Sequence, residues 1–404
     1  MNILVINGDC IQTNSSANLC HMAYIRGLLS AGHTVTLLSA DGRDYNLDPS
    51  LVIPEQVTQY TYYGVSLYEK LALRKKAASA VASAPAAAPA ESTPSAPGLS
   101  RRIKDFVLSL YGVHGIYATF VRKAKKFHCD TEFDYVLSIS TPVTSHLLTH
   151  KLLSSGNIKA KHWIQIWEDP WYSDAYGFNG KEAIRREEQR LLSFAEKICY
   201  VSPLTLKNQQ RLFPESAHKM FWQPLPFYYS SEPVDMAGFT ENRYGYFGDY
   251  TPIARDLAPF YEAAKETGIR VTICGNPSNI FPSTENISIH PRMPLNQLKP
   301  LEDRTNVLIF LCNRKGGQIP GKIYQYSATN KTVLFILDGT EEEQDVLRGF
   351  FEKFNRYVFC SNTKEDIARA IRDIEAGNTG NVKNDPIGDF DPVITIENIL
   401  KAGS

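Results

Sequence analysis

The 404-residue chain holds 43 basic and 43 acidic residues, a formal net charge of zero, with 43% hydrophobic and 21% charged residues. These are the proportions of an ordinary globular protein, and the length points to two domains. They leave no global case for nucleic-acid binding, and no apolar run reaches the length of a bilayer span. The seven cysteines show no CxxC spacing, so reduced thiols are expected rather than disulfides or zinc. Met1 leads straight into the apolar run Ile3–Ile6 without a basic signal-peptide region, which makes a cytoplasmic location the expectation.

In chain order, Asn2–Ile6 predicts a buried strand, Ala17–Ser30 an amphipathic helix and Thr34–Leu38 a second strand. That order implies a parallel sheet with right-handed crossovers. Ala77–Gly98 contains ten Ala, four Pro and four Ser and reads as a loop or linker. Between 70 and 126 there are eleven basic residues against two acidic, with Tyr111, Ile116, Tyr117 and Phe120 nearby. That imbalance suggests peripheral contact with an anionic membrane at the inner face. Further strands are expected at Tyr135–Ile139, His162–Ile166 and Lys197–Val201, with helices at Thr144–Leu153 and Lys181–Phe194. Residues 224–242 carry three prolines and little periodicity, as a hinge between domains would.

A second alternation follows: strands at Tyr244–Phe247, Arg270–Cys274, Ile287–His290, Val307–Cys312, Val333–Leu337 and Val358–Cys360, and helices at Ala254–Lys265, 320–329, Val346–Lys353 and Lys364–Ile374. Two Rossmann-like, doubly wound parallel-sheet domains facing across a cleft are the natural reading. The domains are placed at 1–223 and 243–380. The tail 381–404, which includes a terminal helix, packs back on the first domain in this reading.

Several strand ends carry chemistry. Asn7-Gly8-Asp9 ends the first strand, and Thr13-Asn14-Ser15-Ser16 caps the helix after it, one serine as the N-cap. There is no GxGxxG, hence no dinucleotide fingerprint. Trp167-Glu168-Asp169-Pro170-Trp171 clusters acid, turn and aromatic residues at another strand end; Asp169 suits proton transfer and Trp171 suits stacking on a sugar face. Gly316-Gly317-Gln318-Ile319-Pro320-Gly321-Lys322 reads as a tight loop opening a helix, where free N–H groups and the Lys322 cation favour a phosphate. No HExxH or paired metal-ligand spacing is present, and Asp389-Phe390-Asp391 lies in a loop-like tail.

On these motifs the whole chain resembles a GT-B glycosyltransferase, and its C-terminal half resembles the retaining, nucleotide-sugar-dependent family-4 type. In that type an acid-Gly-apolar-Pro motif precedes a second acid that holds the donor ribose. On this sequence the first acid falls on Gly317 and the second on Gln325, so both are replaced. The resemblance then assigns Gly316, Gly317, Gln318, Ile319, Pro320, Gly321, Ile323 and Gln325 to the donor, with Gln325 on a ribose hydroxyl. A Gly followed by two basic residues neutralises the donor diphosphate in the family. Gly248 matches the Gly, Asp249 takes the first basic place, and Arg255 falls near the second. Arg255 and Lys322 are the implied cations, reinforced by Arg292 or Lys315, while Gly275 and Asn276 touch the nucleotide. Gly8, Asp9, Asn14, Ser15, Ser16, Glu168 and Trp171 belong to the acceptor side, and Asp169 is the candidate acceptor-side base. The implied activity is metal-independent transfer from a nucleoside-diphosphate-sugar, a co-substrate rather than a cofactor, to a saccharide or lipid-linked saccharide in bacterial surface polysaccharide synthesis. A catalytically inactive binding subunit and a sugar-nucleotide epimerase are the alternatives.

Overall fold

The computed structural model describes residues 1–70, 112–174, 181–229, 233–315 and 317–403. The Ala77–Gly98 segment, much of the basic stretch between 70 and 126, and Gly316 lie outside the described residues. The N-terminal half is built on seven parallel strands: β1 (Asn2–Asn7), β2 (Thr34–Ala40), β3 (Thr58–Tyr62), β4 (Glu132–Ser140), β5 (Lys159–Trp167), β6 (Lys197–Tyr200) and β7 (Met220–Trp222). Their order is β3-β2-β1-β4-β5-β6-β7. The second half holds β8 (Arg243–Phe247), β9 (Arg270–Cys274), β10 (Ile287–His290), β11 (Val307–Leu311), β12 (Thr332–Leu337) and β13 (Tyr357–Ser361), in the order β10-β9-β8-β11-β12-β13 and again all parallel. Each sheet reverses its winding direction once, between β1 and β4 and between β8 and β11. At such a point the loops leaving the carboxyl ends diverge and open a crevice.

The strands are near-continuous apolar runs because helices cover both sheet faces. Val307–Leu311 is buried at every residue. Helix α1 (Ser16–Ser30) begins where Ser15 caps it, accepting from the Asn18 N–H at 3.1 Å. The Asn18 amide in turn donates to the Cys10 and Thr13 carbonyls, which fixes the loop before the helix.

Helix α2 (Ala118–Ala124) carries Arg122 and Lys123 on its outside, but Phe120 is buried in the core and presents no apolar side outward. Helices α3 (Thr144–Ser154), α4 (Glu182–Phe194) and α5 (Pro203–Leu212) follow among the described residues of the first half. In the second half α6 spans Ala258–Thr267, starting later than the pattern 254–265 implies. Asp256 accepts from the Ala258 N–H at 3.1 Å, and Thr251 and Arg255 bridge each other beforehand, so Arg255 sits in a turn rather than on a helix face. Helix α7 (Leu295–Asp303) contains Pro300 and escapes the periodicity argument for that reason. Helix α8 (Lys322–Ser327) is six residues long, shorter than 320–329. Helices α9 (Glu341–Glu352), opened by a Thr340/Glu343 capping box, and α10 (Lys364–Glu375) follow.

The chain crosses between halves twice. The first crossing is tied down by Gln325, whose Oε1 accepts from the Tyr228 and Tyr229 N–H groups at 2.9 and 3.1 Å. After the second, α11 (Pro392–Ala402) lies on α1 in the first half, with Pro392 so close to Gly27 that a Cβ there would stand 2.4 Å from the Pro392 carbonyl oxygen. One apolar cluster therefore runs through both halves, from Ile3 and Val5 to Phe310, Tyr324 and Ile396. All seven cysteines are free thiols, six of them buried. Among the described residues no helix is long and apolar enough to cross a membrane.

Candidate active site between the two halves

The crevices of the two sheets face each other and form one cleft. Its N-terminal wall is made by the first turns of α1 (Asn14, Ser16, Leu19, Cys20) and by Glu168 and Asp169 after β5. Its C-terminal wall is made by Gly248 and Asp249 after β8, Gly275 after β9, Arg255, Arg292, and Gln318 to Lys322 before and at the start of α8. Leu225 and Tyr228, from the first crossing, complete the lining.

The acids of the N-terminal wall are packed together. Burial pushes the Asp169 carboxyl up to about 6, with Glu168 and Asp174 raising it further against the bond from Gln318. That bond crosses the cleft: the Gln318 Nε2 donates to Asp169 Oδ1, and to Asp174 Oδ1 at 3.3 Å. Glu168 Oε1 lies 3.3 Å from Nε2 of the fully buried His21 on α1. The turn that carries the pair is held from behind by Glu188, whose Oε2 accepts from the Tyr172 N–H at 2.6 Å. Burial pushes the Glu188 carboxyl up to about 7. The Cys20 thiol is held far above its usual range by burial and by Glu168, which removes it as a nucleophile.

Two cations of the C-terminal wall, Lys322 and Arg292, are matched by local structure. Lys322 Nζ pairs with Glu302 Oε1 on α7 at 2.7 Å, and Glu302 Oε2 accepts from the Tyr229 hydroxyl at 2.9 Å. Burial alone would raise the Glu302 carboxyl; Lys322 and Tyr229 bring it below the usual range. Arg292 Nη1 pairs with Asp249 Oδ2 at 2.8 Å, and Asp249 Oδ1 accepts from the Asn276 N–H at 2.9 Å. Asp249, after β8, thus holds Arg292 from the loop after β10. Gly248 sits beside Arg255: a Cβ there would meet Arg255 Nη1 and the Tyr246 hydroxyl in ordinary contact at 3.7 Å. Gly275 is required for close packing, since its Cβ would stand 1.9 Å from the Gly248 carbonyl oxygen.

Not every expected residue reaches the cleft. Gln325 is buried and holds the crossing at Tyr228 and Tyr229, so its amide is turned away from any ribose. Gly317 adopts φ +70°, and its carbonyl accepts from the Ser202 and Thr205 hydroxyls at the start of α5. A Cβ there would stand 2.8 Å from Leu204 Cβ, which explains why no acid occupies the position. Ile323 is core. Gly8 packs on α3, donating its N–H to Ser145 Oγ at 2.8 Å, and Asp9 is half-buried with its carboxyl raised by desolvation. Ser15 acts as the α1 cap, and Trp171 stacks on His114 at 5.2 Å. Lys315 and Asn276 are outside the lining, the latter serving as a brace between Asp249 and Arg292. The pattern missed Glu302, His21, Asn313 and Tyr228; none carries a local motif, and only their spatial neighbours make them relevant.

No protein-family model and no curated protein matches the chain. Solved structures do. The lipopolysaccharide outer core galactosyltransferase WaaB in its apo form aligns over 100% of this chain and 99% of its own, at 10% identity and a TM-score of 0.52. Sucrose-phosphate synthase from Thermosynechococcus elongatus aligns over 100% and 94%, at 11% identity and a TM-score of 0.54. The chain has the GT-B fold. A glycosyltransferase from Rickettsia africae aligns over the same shares at 11% identity and a TM-score of 0.50. At such identities the likeness of this GT-B chain to those structures is one of architecture, and its chemistry is argued from its own residues.

Proposed function

We propose that the chain is a glycosyltransferase that moves a sugar from a nucleoside-diphosphate-sugar onto a hydroxyl of a saccharide or lipid-linked saccharide. One observation carries this reading: carboxylates and cations oppose each other across a single cleft at the paired switch points of two sheets. The donor diphosphate lies against Lys322, Arg255 and Arg292, beside Gly248. As the bond between C1 and the diphosphate oxygen breaks, those cations take up the developing negative charge. The acceptor hydroxyl attacks C1 and gives its proton to Asp169 or to the adjacent Glu168. Retention of the anomeric configuration, a role in bacterial surface polysaccharide assembly and work at the inner membrane face belong to the same proposal. They rest on the family resemblance and on the basic residues around α2.

Calorimetric titration with UDP- and GDP-sugars tests the donor side, and NMR of the first product formed tests retention. Absence of any shift with every donor removes the proposal. A second reading, a non-catalytic binding subunit, is favoured by one feature: Asp169 and Lys322 already have partners in Gln318 and Glu302. Donor binding without nucleoside diphosphate release, across a panel of saccharide acceptors, supports that reading.

A further inference from the structure

A second, smaller groove adjoins the cleft along α1. Leu19, Tyr228 and Leu295 line both spaces, so the two adjoin. Leu19, Met22 and Arg26 stand at i, i+3 and i+7 on α1 and therefore share one helix face. Along that face Arg26 lies about 10 Å beyond Leu19. The opposite side is apolar as well, with Leu51 and Tyr229.

The polar groups of this groove differ in their commitments. Ser50 donates its hydroxyl to Asp48 Oδ1 at 2.6 Å. Lys299 pairs with Asp303 at 3.3 Å and lies over the Tyr229 ring. Arg26 is half-buried, and no ion pair or hydrogen bond joins its guanidinium to the described residues. Burial alone holds it below the usual arginine range, with no carboxylate offsetting that cost. The fully buried Arg356 shows the alternative, since it donates to the Thr329 and Lys331 carbonyls. A half-desolvated guanidinium among apolar walls suits an anion with parallel oxygen acceptors attached to an apolar body.

We propose that this groove seats the acceptor, which is an amphiphile with a phosphate-class anionic group on Arg26 and an apolar body along Met22, Leu51 and Tyr229. The assignment of that amphiphile as acceptor rests on the transferase reading; the binding itself does not. The end of the amphiphile remote from the anion points back toward the cleft, where its hydroxyl meets Asp169.

The test titrates octyl phosphate, inorganic phosphate and neutral octyl glucoside into the full chain by calorimetry, with UDP and GDP in parallel. Octyl phosphate is expected to bind at least about tenfold more tightly than either control, and Arg26→Gln to weaken it about tenfold, equivalent to about 1.4 kcal/mol. Arg26→Lys should recover part of the loss, and both variants should bind UDP and GDP as the native chain does. Equal binding of octyl glucoside overturns the anion requirement, and equal binding of inorganic phosphate overturns the apolar body. An unchanged affinity in Arg26→Gln overturns the assignment of Arg26. A dimer that Arg26→Gln dissociates would make the groove a contact between copies and likewise overturn the proposal. If UDP and GDP fail to bind while octyl phosphate binding still depends on Arg26, the groove stands and the transferase reading falls.

Discussion

The two walls of the cleft handle charge in opposite ways. On the N-terminal wall, acids are gathered and buried: Glu168, Asp169 and Asp174 lie together, and Asp169 is pushed up to about 6. On the C-terminal wall, two of the cations are already paired, Lys322 with Glu302 and Arg292 with Asp249. Burial on the first wall favours the protonated acid, whereas the second holds its positive charge in ion pairs. A wall of the first kind is suited to receiving a proton, and one of the second kind to receiving an anion that joins existing pairs. The Gln318–Asp169 bond is where the two meet.

Substitutions can break this contrast. The largest effect is expected from Asp169→Asn, which should lower kcat by roughly 10²- to 10³-fold while leaving donor affinity within about twofold. A loss of donor binding instead would move Asp169 to the donor side. The same residue sets a pH limb: its carboxylate form prevails above about 6, so kcat/KM should fall as pH drops through that value. Asp169→Asn should remove the limb from a kcat/KM profile.

The acid wall should also show in stability. Glu188 is raised from 4.5 to about 7 in the fold, so the folded state binds its proton more tightly. Its contribution is present below the unfolded value and lost as pH rises through about 7, by up to about 3 kcal/mol. Thermal unfolding followed from pH 4.5 to 8 should show that decline, and Glu188→Gln should flatten it. On the cation wall, Lys322→Ala should weaken nucleoside diphosphate binding by about 10- to 100-fold in calorimetry, with Glu302 left buried beside Tyr229. Restoring an acid with Gly317→Asp should cost about 2 kcal/mol in denaturant unfolding rather than improve donor binding, because the position needs φ +70° and contacts Leu204. The smallest effect is expected from Lys207→Ala, which removes the exposed pair with Glu342 between α5 and α9; the denaturant midpoint should barely move.

Much of the frame was legible. The apolar runs 307–312 and 333–337 and the periodic stretches 17–30 and 364–374 announced strands and helices because burial on both sheet faces leaves a dense signal. β3 was hidden because its residues are mostly exposed, and α7 because Pro300 interrupts its pattern. For the site, the Glu168-Asp169 turn and the 318–322 loop showed themselves as clustered chemistry at strand ends. Gln325 and Gly317 looked like ligand residues in the linear motif. Their bonds to Tyr228, Tyr229, Ser202 and Thr205 join segments 96 to 115 positions apart, which no local pattern encodes.

By itself, then, the sequence determined the alternation of strands and helices, the strand ends that carry acids, and the place of the glycine-rich loop before Lys322. Tertiary structure decided which of those residues face the cleft and which brace it. The pairing of Lys322 with Glu302, the approach of His21 to Glu168 and the unpaired Arg26 depend on elements that meet only in the folded chain. The reason is physical: a side chain's type fixes what it can bond, but its charge state and availability are set by neighbours that only folding supplies.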